Sequence, residues 1–174
     1  MVHEDVLKVI LSKRETRIYA DKPVPDELVF KVLEAGRLAG SAKNRQPWQL
    51  ILIRDKKNLQ ELSRFGNYAH HLPHASFAVV VLVPDKYVHD RFDAGRAAQN
   101  MMLAAHALGI GSCPITLQDE EGAKKFLNVP QDLKTVVCIA FGYSAEEKRK
   151  GKVARKQLDE ILHFEKYGNV GMMA

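Results

Sequence analysis

Apolar residues at Val6, Val9 and Ile10 recur three and four positions apart, with Lys13 on the same face, and predict a helix over His3–Ser12. Glu4 and Asp5 at its start and Lys13 and Arg14 at its end have the polarity that a helix dipole favours. The segment KRETRIYADKPVP breaks the period. Pro25, Asp26 and Glu27 open a second helix, whose stripe is Leu28, Val32, Ala35 and Ala39 and which Gly40 ends. Trp48–Ile53 is a buried-strand pattern, and Asp55–Phe65 a short helix with Leu59 and Leu62 on one side. NYAHHLPHA carries no period and predicts a loop or broken helix. Phe77–Val83 is wholly apolar, which predicts a strand covered on both faces, and Pro84 stops it.

Val88–Leu108 predicts one long helix. From Ala97 to Gln118 the chain has no Asp, Glu, Lys or Arg, so this helix needs cover on nearly all sides; a subunit interface would complete it. Gly109, a helix C-cap, and Gly111 end it, and Ser112–Leu117 reads as extended. Asp119–Leu127 predicts a helix and Thr135–Phe141 a buried strand. The tail from Ser144 is charged, then weakly helical through Leu158, Ile161 and Leu162. Strands and helices do not alternate one for one. The order therefore predicts an α+β fold, a mostly antiparallel central sheet flanked by helices, over a doubly wound sheet.

A chain of 174 residues fits one domain spanning 1–174. At 46% hydrophobic and 27% charged residues, its composition is that of a globular protein, with no apolar run long enough to span a membrane. The N-terminus has no secretory pattern, which makes the cytoplasm the expected location. Cys113 and Cys138 lack the paired spacing of a zinc or redox motif and read as buried free thiols. A net charge of +5 suits an anionic ligand, a nucleic acid, or solubility alone.

The stretch GSAKNRQPW, Gly40–Trp48, holds more chemistry than a helix-to-strand link requires. It offers a hydroxyl, two amides and a glycine that lets a ligand approach the backbone. Lys13, Arg14 and Arg17 could take a phosphate in fork geometry, although cations also complement a helix C-terminus, and Glu15 among them would repel a phosphate unless it pairs with an Arg. GIGSCP follows a helix, not a strand, which argues against a dinucleotide-binding turn. His70, His71 and His74 flank Pro73 without carboxylates at ligand spacing, so no metal site is expected; solvated or substrate-facing roles fit His70 and His71. His106 reads as a hydrogen-bonded core residue. The basic run Lys148–Lys156 lacks interleaved aromatics, so a solvated tail is expected and no nucleic-acid partner, with Arg155 and Lys156 as candidate anion contacts.

Taken in order, these segments resemble the nitroreductase family of FMN-dependent oxidoreductases over nearly the whole chain. KRETR, Lys13–Arg17, resembles an Arg-Arg-Ser-x-Arg segment. GSAKNRQPW resembles Pro-Ser-x-x-Asn-x-Gln-Pro-Trp, the most specific match. Asp93–Ile115 resembles the long central helix and following strand, and Ala154–Gly168 the C-terminal Arg-Lys-Pro-Leu segment. Departures are Lys13 for the first Arg, Glu15 for Ser, Gly40 for Pro, Gln157 for Pro, and Thr116 where some members have Glu.

The resemblance implies an intertwined homodimer with two FMN sites at the interface, the tail 144–174 packing on the partner subunit. It implies that Lys13, Arg14, Thr16 and Arg17 of one subunit reach the flavin and that Ser41, Ala42, Asn44 and Gln46 come from the other. Pro114, Thr116 and Leu117 would line the flavin, and Arg155 with Lys156 would approach its phosphate. The implied reaction passes hydride from NAD(P)H through FMN to a small-molecule acceptor, a nitroaromatic or quinone, by a ping-pong mechanism without an assigned catalytic side chain. Alternatives are reduced-flavin cleavage or reductive dehalogenation on the same fold, or a non-enzymatic flavin- or nucleic-acid-binding module.

Overall fold

The computed structural model describes residues 4–145 and 154–170. Its regular elements are α1 (Glu4–Ser12), α2 (Asp26–Arg37), β1 (Gln49–Ile53), α3 (Lys56–Leu62), β2 (Phe77–Val83), α4 (Val88–Ala107), β3 (Gly111–Ile115), α5 (Glu120–Phe126) and β4 (Lys134–Gly142). The strands form one sheet in the order β1-β2-β4-β3, with every pairing antiparallel. This is the α+β architecture that the sequence predicts.

β2 lies inside the sheet and every residue of it is buried. Because side chains alternate along a strand, β2 feeds two cores at once. Phe77, Val79, Val81 and Val83 join α2 and α4 on one face. Ala78, Val80 and Leu82 join α3, α5 and the 66–75 segment on the other. Phe77 and Phe141 sit opposite one another in register and stack at 4.7 Å between ring centroids. Val32 and Ala39 of the predicted α2 stripe are buried, while Val29 and Gly36 are buried beside the half-buried Leu28 and Ala35; a Cβ at Gly36 would lie 2.7 Å from Met101 Cγ, so the glycine sets how closely α2 and α4 approach.

Element ends follow side-chain chemistry. Asp55 and Asp119, predicted inside helices, instead cap them, accepting from the backbone N–H of Asn58 at 2.9 Å and Gly122 at 3.0 Å. Asp55→Ala should lower the unfolding free energy by about 1 kcal/mol, read as a lower urea midpoint with unchanged slope; an unchanged midpoint would mean the cap contributes nothing. Ser63–Phe65 tightens into a 3-10 turn. Gly109 ends α4 at φ 75°, a left-handed position suited to glycine, and Ile110 N–H returns to Ala105 O at 2.8 Å. The tail departs from its predicted helix: among its described residues only Leu158–Glu160 forms a helical turn, of the 3-10 type, and Leu158 and Ile161 stay exposed.

Candidate functional site

Two groups of predicted residues lie at opposite ends of α4. The first is the segment after α1. Glu15 bridges Ser112 of β3, and Thr16 N–H donates to Ser112 O at 3.0 Å, so residues 13–17 flank the outer edge of β3. Ser12 Oγ and His106 Nε2 are 2.8 Å apart, and Lys13 Nζ reaches Met102 Sδ at 3.8 Å, which ties this segment to the C-terminal half of α4. His106 is half-buried at this junction, where the sequence had suggested a core residue.

The 65–71 segment approaches the chain that follows β3. Asp119 N–H donates to Phe65 O at 3.0 Å and Asn67 N–H to Gln118 Oε1 at 2.8 Å. Pro114 and Thr116 are exposed between these flanks, and Leu117 is buried. Thus residues 13–17 and 114–117 lie on neighbouring segments at the β3 edge of the sheet.

His70 is exposed there, but His71 is not solvated as expected: it is buried, edge-on to His70 and 6.3 Å from the Tyr19 ring. Among the described residues neither His71 ring nitrogen has a partner at hydrogen-bond geometry. Burial, then the charges of His70 and Arg17, push its pKa down to about 4 against a weaker opposing backbone contact with Tyr68. Burial also raises Cys113 and pushes Cys138 up to about 12, so both free thiols are held protonated and unreactive at neutral pH. Among the described residues no group of three His, Cys, Asp or Glu could hold a metal ion.

The second group is the stretch Gly40–Trp48. Asp93 of α4, buried, accepts from Ala42 N–H at 2.9 Å and faces Arg96 at 3.5 Å. A side chain at Gly40 would displace the Arg96 guanidinium, the mobile end of a half-exposed side chain. Ser41 Oγ accepts from Gln46 N–H at 2.9 Å, and Gln46 Nε2 donates to Asn44 O at 3.3 Å. Lys43, Asn44 and Gln46 all take positive φ, at 52°, 53° and 50°. Such backbone is strained for non-glycine residues and persists only where its surroundings fix it. Nothing in the sequence signals this run, because glycine, the usual mark of a left-handed position, is absent from 41–48. The Asn44 side chain is exposed and makes no hydrogen bond among the described residues, so it is available to a ligand.

Asp93 anchors the loop and Met102 lies nine residues further along α4, roughly 14 Å at 1.5 Å per residue. Within one chain the two segments are therefore anchored at separate points along α4. The start of the tail is tied to the segment after α1, where Ala145 N–H donates to Ile18 O at 3.0 Å; Arg155 and Lys156 are exposed, and the backbone hydrogen bonds of residues 154–170 stay within that stretch among the described residues. The rest of the basic run, Lys148–Val153, and the end of the tail lie outside the described residues.

The sequence pattern of the nitroreductase family matches residues 10–75 and 70–143. The chain belongs to the nitroreductase family. A relative from Archaeoglobus fulgidus, provisionally named an NADH dehydrogenase/NAD(P)H nitroreductase, is 33% identical over 94% of this chain and 99% of its own length. An FMN-dependent nitroreductase of Clostridium difficile superposes with a TM-score of 0.83 at 30% identity, covering 92% of this chain and 99% of the other. A Desulfovibrio desulfuricans protein, provisionally named a nitroreductase and solved in complex with FMN, superposes at 0.82 with 33% identity, over 95% and 99%. Of the four segments singled out in the sequence, KRETR, GSAKNRQPW and Asp93–Ile115 fall inside the family match, and Ala154–Gly168 falls outside it.

Proposed function

We propose that this nitroreductase-family chain is an FMN-dependent NAD(P)H oxidoreductase acting on a nitroaromatic, quinone or similar acceptor, as a homodimer with two shared sites. The observation that carries the reading is the separation of the two half-sites along α4. A pair of α4 helices packed antiparallel about a twofold axis would bring residues 40–46 of one copy to residues 13–17 of the other. The outer face of α4 suits such packing: Phe92 is exposed, Gly95 leaves space, and a depression of about 400 Å³ lies between them, Gly40 and Arg96. α1 adds Val6, Leu7, Ile10 and Leu11, all exposed in the single chain.

The donor set fits FMN. Arg17 is an exposed cation with no hydrogen-bond or ion-pair partner among the described residues, beside the exposed Pro114 and Thr116. A flat ring with carbonyl oxygens and a phosphate needs such donors beside an apolar edge. When bound, FMN supplies hydride acceptance and donation, which no side chain here can perform. Arg17 sets positive charge where negative charge develops, and the backbone N–H groups at Thr116 and Leu117 are donors for a ring nitrogen. Asn44 from a second copy closes the site, and Arg155 with Lys156 adds cations for the phosphate. NAD(P)H and the acceptor use the same open face in turn.

The test is the absorption spectrum and cofactor content of the pure protein. A yellow dimer that releases FMN on denaturation and oxidises NAD(P)H with a nitroaromatic is expected. Arg17→Ala and Asn44→Ala should each weaken FMN binding about tenfold, the size of one charge-assisted or buried hydrogen bond. A colourless protein that does not take up added FMN would overturn the cofactor; unchanged binding in both variants would overturn the site.

A further inference from the structure

Three stretches far apart in sequence, residues 20–23, Arg54 with Lys56, and Ser76, meet where β1 ends and β2 begins, around a cavity of about 160 Å³. None of these residues belongs to the flavin reading. The cavity is too small for a flavin or a nicotinamide, since sites for such ligands start at about 300 Å³. At about 30 Å³ per water it has the room of about five waters, enough for one tetrahedral oxyanion.

Its cations are set in place mostly by neutral groups. Arg54 Nη2 donates to Val24 O at 2.9 Å, and its Nη1 meets Asp26. Lys56 Nζ donates to Ala75 O at 3.0 Å. Lys22 Nζ lies 4.7 Å above the Tyr143 ring. Among the described residues neither lysine has an ion-pair partner, so two of the three cations are positioned without being neutralised. Ser76 Oγ accepts from Val24 N–H at 2.8 Å, which leaves its hydroxyl proton to donate. Asp55, between the two cations of 54–56, is turned to its own helix by the bond from Asn58 N–H. Asp21 is the one carboxylate that lines the cavity, and it too lacks an ion-pair partner among the described residues.

Cations and a hydroxyl donor call for an oxyanion. The carboxylate among them selects which. Sulfate carries no proton near pH 6 and meets only repulsion from Asp21, whereas a phosphate keeps one and can donate it to the carboxylate. We infer that this cavity is a phosphate-binding site: Lys22, Lys56 and Arg54 balance the charge, Ser76 donates to one oxygen, and Asp21 accepts from the protonated one. The group bound is inorganic phosphate or the terminal phosphomonoester of a larger solute, which share this chemistry.

The experiment is a titration of the full-length protein at pH 6 and constant ionic strength, read residue by residue from amide NMR signals, with inorganic phosphate, sulfate and glycerol 3-phosphate. Signals of Ala20, Asp21, Lys22 and Ser76 should shift saturably with phosphate at a Kd on the order of 1 mM, and sulfate should bind at least about tenfold more weakly. Phosphate held at the flavin segment would be read separately, in the signals of residues 13–17. Lys22→Gln and Lys56→Gln should each weaken phosphate about fivefold, the loss expected from one partly exposed cation. Lys22 touches only the Tyr143 ring, so its variant keeps the test valid if Lys56→Gln folds poorly. Asp21→Asn should bring phosphate and sulfate to within about threefold of each other. Tighter binding of glycerol 3-phosphate than of phosphate would make the ligand an esterified one; weaker binding would make it the free ion. Shifts that never saturate, a wild type that binds sulfate as well as phosphate, or lysine variants that bind phosphate unchanged would overturn the site, and none of these results bears on the flavin.

Discussion

Asp93→Ala should lower the unfolding free energy by about 3 kcal/mol and abolish FMN retention, although Asp93 is not among the residues expected to touch the cofactor. The carboxylate is 1% exposed. Its Oδ2 satisfies the Ala42 N–H, and its Oδ1 faces Arg96, whose guanidinium packs on Gly40. The loop that follows holds three non-glycine residues at positive φ. Each such residue costs of order 1 kcal/mol and relaxes if the anchor goes. The truncation therefore removes a charge-assisted hydrogen bond and strands Ala42 N–H, while the loop gains freedom to leave its strained state. Asp93→Asn keeps an acceptor of the same shape and should lose only about 1 kcal/mol. Urea unfolding of both variants checks the ranking. Equal midpoints for the alanine variant and the wild type would mean that the loop is held by its internal bonds alone, chiefly Gln46 N–H to Ser41 Oγ.

The contrast between what the sequence reveals and what it hides follows from how each feature is encoded. β2 was legible from Phe77 to Val83 because burial on both faces demands an unbroken apolar run, and this is the longest run among the strand patterns. The GSAKNRQPW loop was legible as a site because its side chains are too varied for a connection. Its strained backbone was not, because left-handed residues were signalled by no glycine, and the loop's anchor, Asp93, lies about fifty residues away in a helix read as apolar. Burial of His71 was hidden for a similar reason: NYAHHLPHA has no period, so nothing local says which of its histidines points inward. The Lys13–Glu15 pair was left open as a condition, and the structure fills it with the lysine where an arginine had been considered. The tail was read as helical from Leu158, Ile161 and Leu162. A short helix is stabilised mainly by packing its apolar face, and Leu158 and Ile161 find no surface for that within the single chain. The same explanation applies to α1, whose pattern was right but whose Val6 and Ile10 remain exposed. These uncovered faces are what a second copy would bury.

His71→Leu should flatten the acid limb of the stability profile. In the folded chain His71 is held neutral, with its pKa pushed from 6.5 to about 4 by burial first and by His70 and Arg17 second. In the unfolded chain the ring takes up a proton near its ordinary value. Between these two points the unfolded state binds more protons than the folded state, so stability falls as pH drops. The contribution is fully present above pH 6.5 and is lost progressively down to about pH 4, amounting to roughly 3 kcal/mol across that window. Leucine cannot take the proton, and replacing an imidazole whose nitrogens lack partners sacrifices no strong hydrogen bond. The wild type and the variant should therefore differ most in slope, not at neutral pH. Unfolding free energies from urea titrations at pH 7.5, 6, 5 and 4.5 should diverge steadily in favour of the variant. Carboxylates titrating near the lower end affect both proteins alike and cancel in the difference. Parallel profiles would mean that His71 charges as readily in the fold as outside it, through an opening of the 66–75 segment that lets water reach the ring. That result would move His71 from the buried wall of the site to its solvent-exposed side, beside His70.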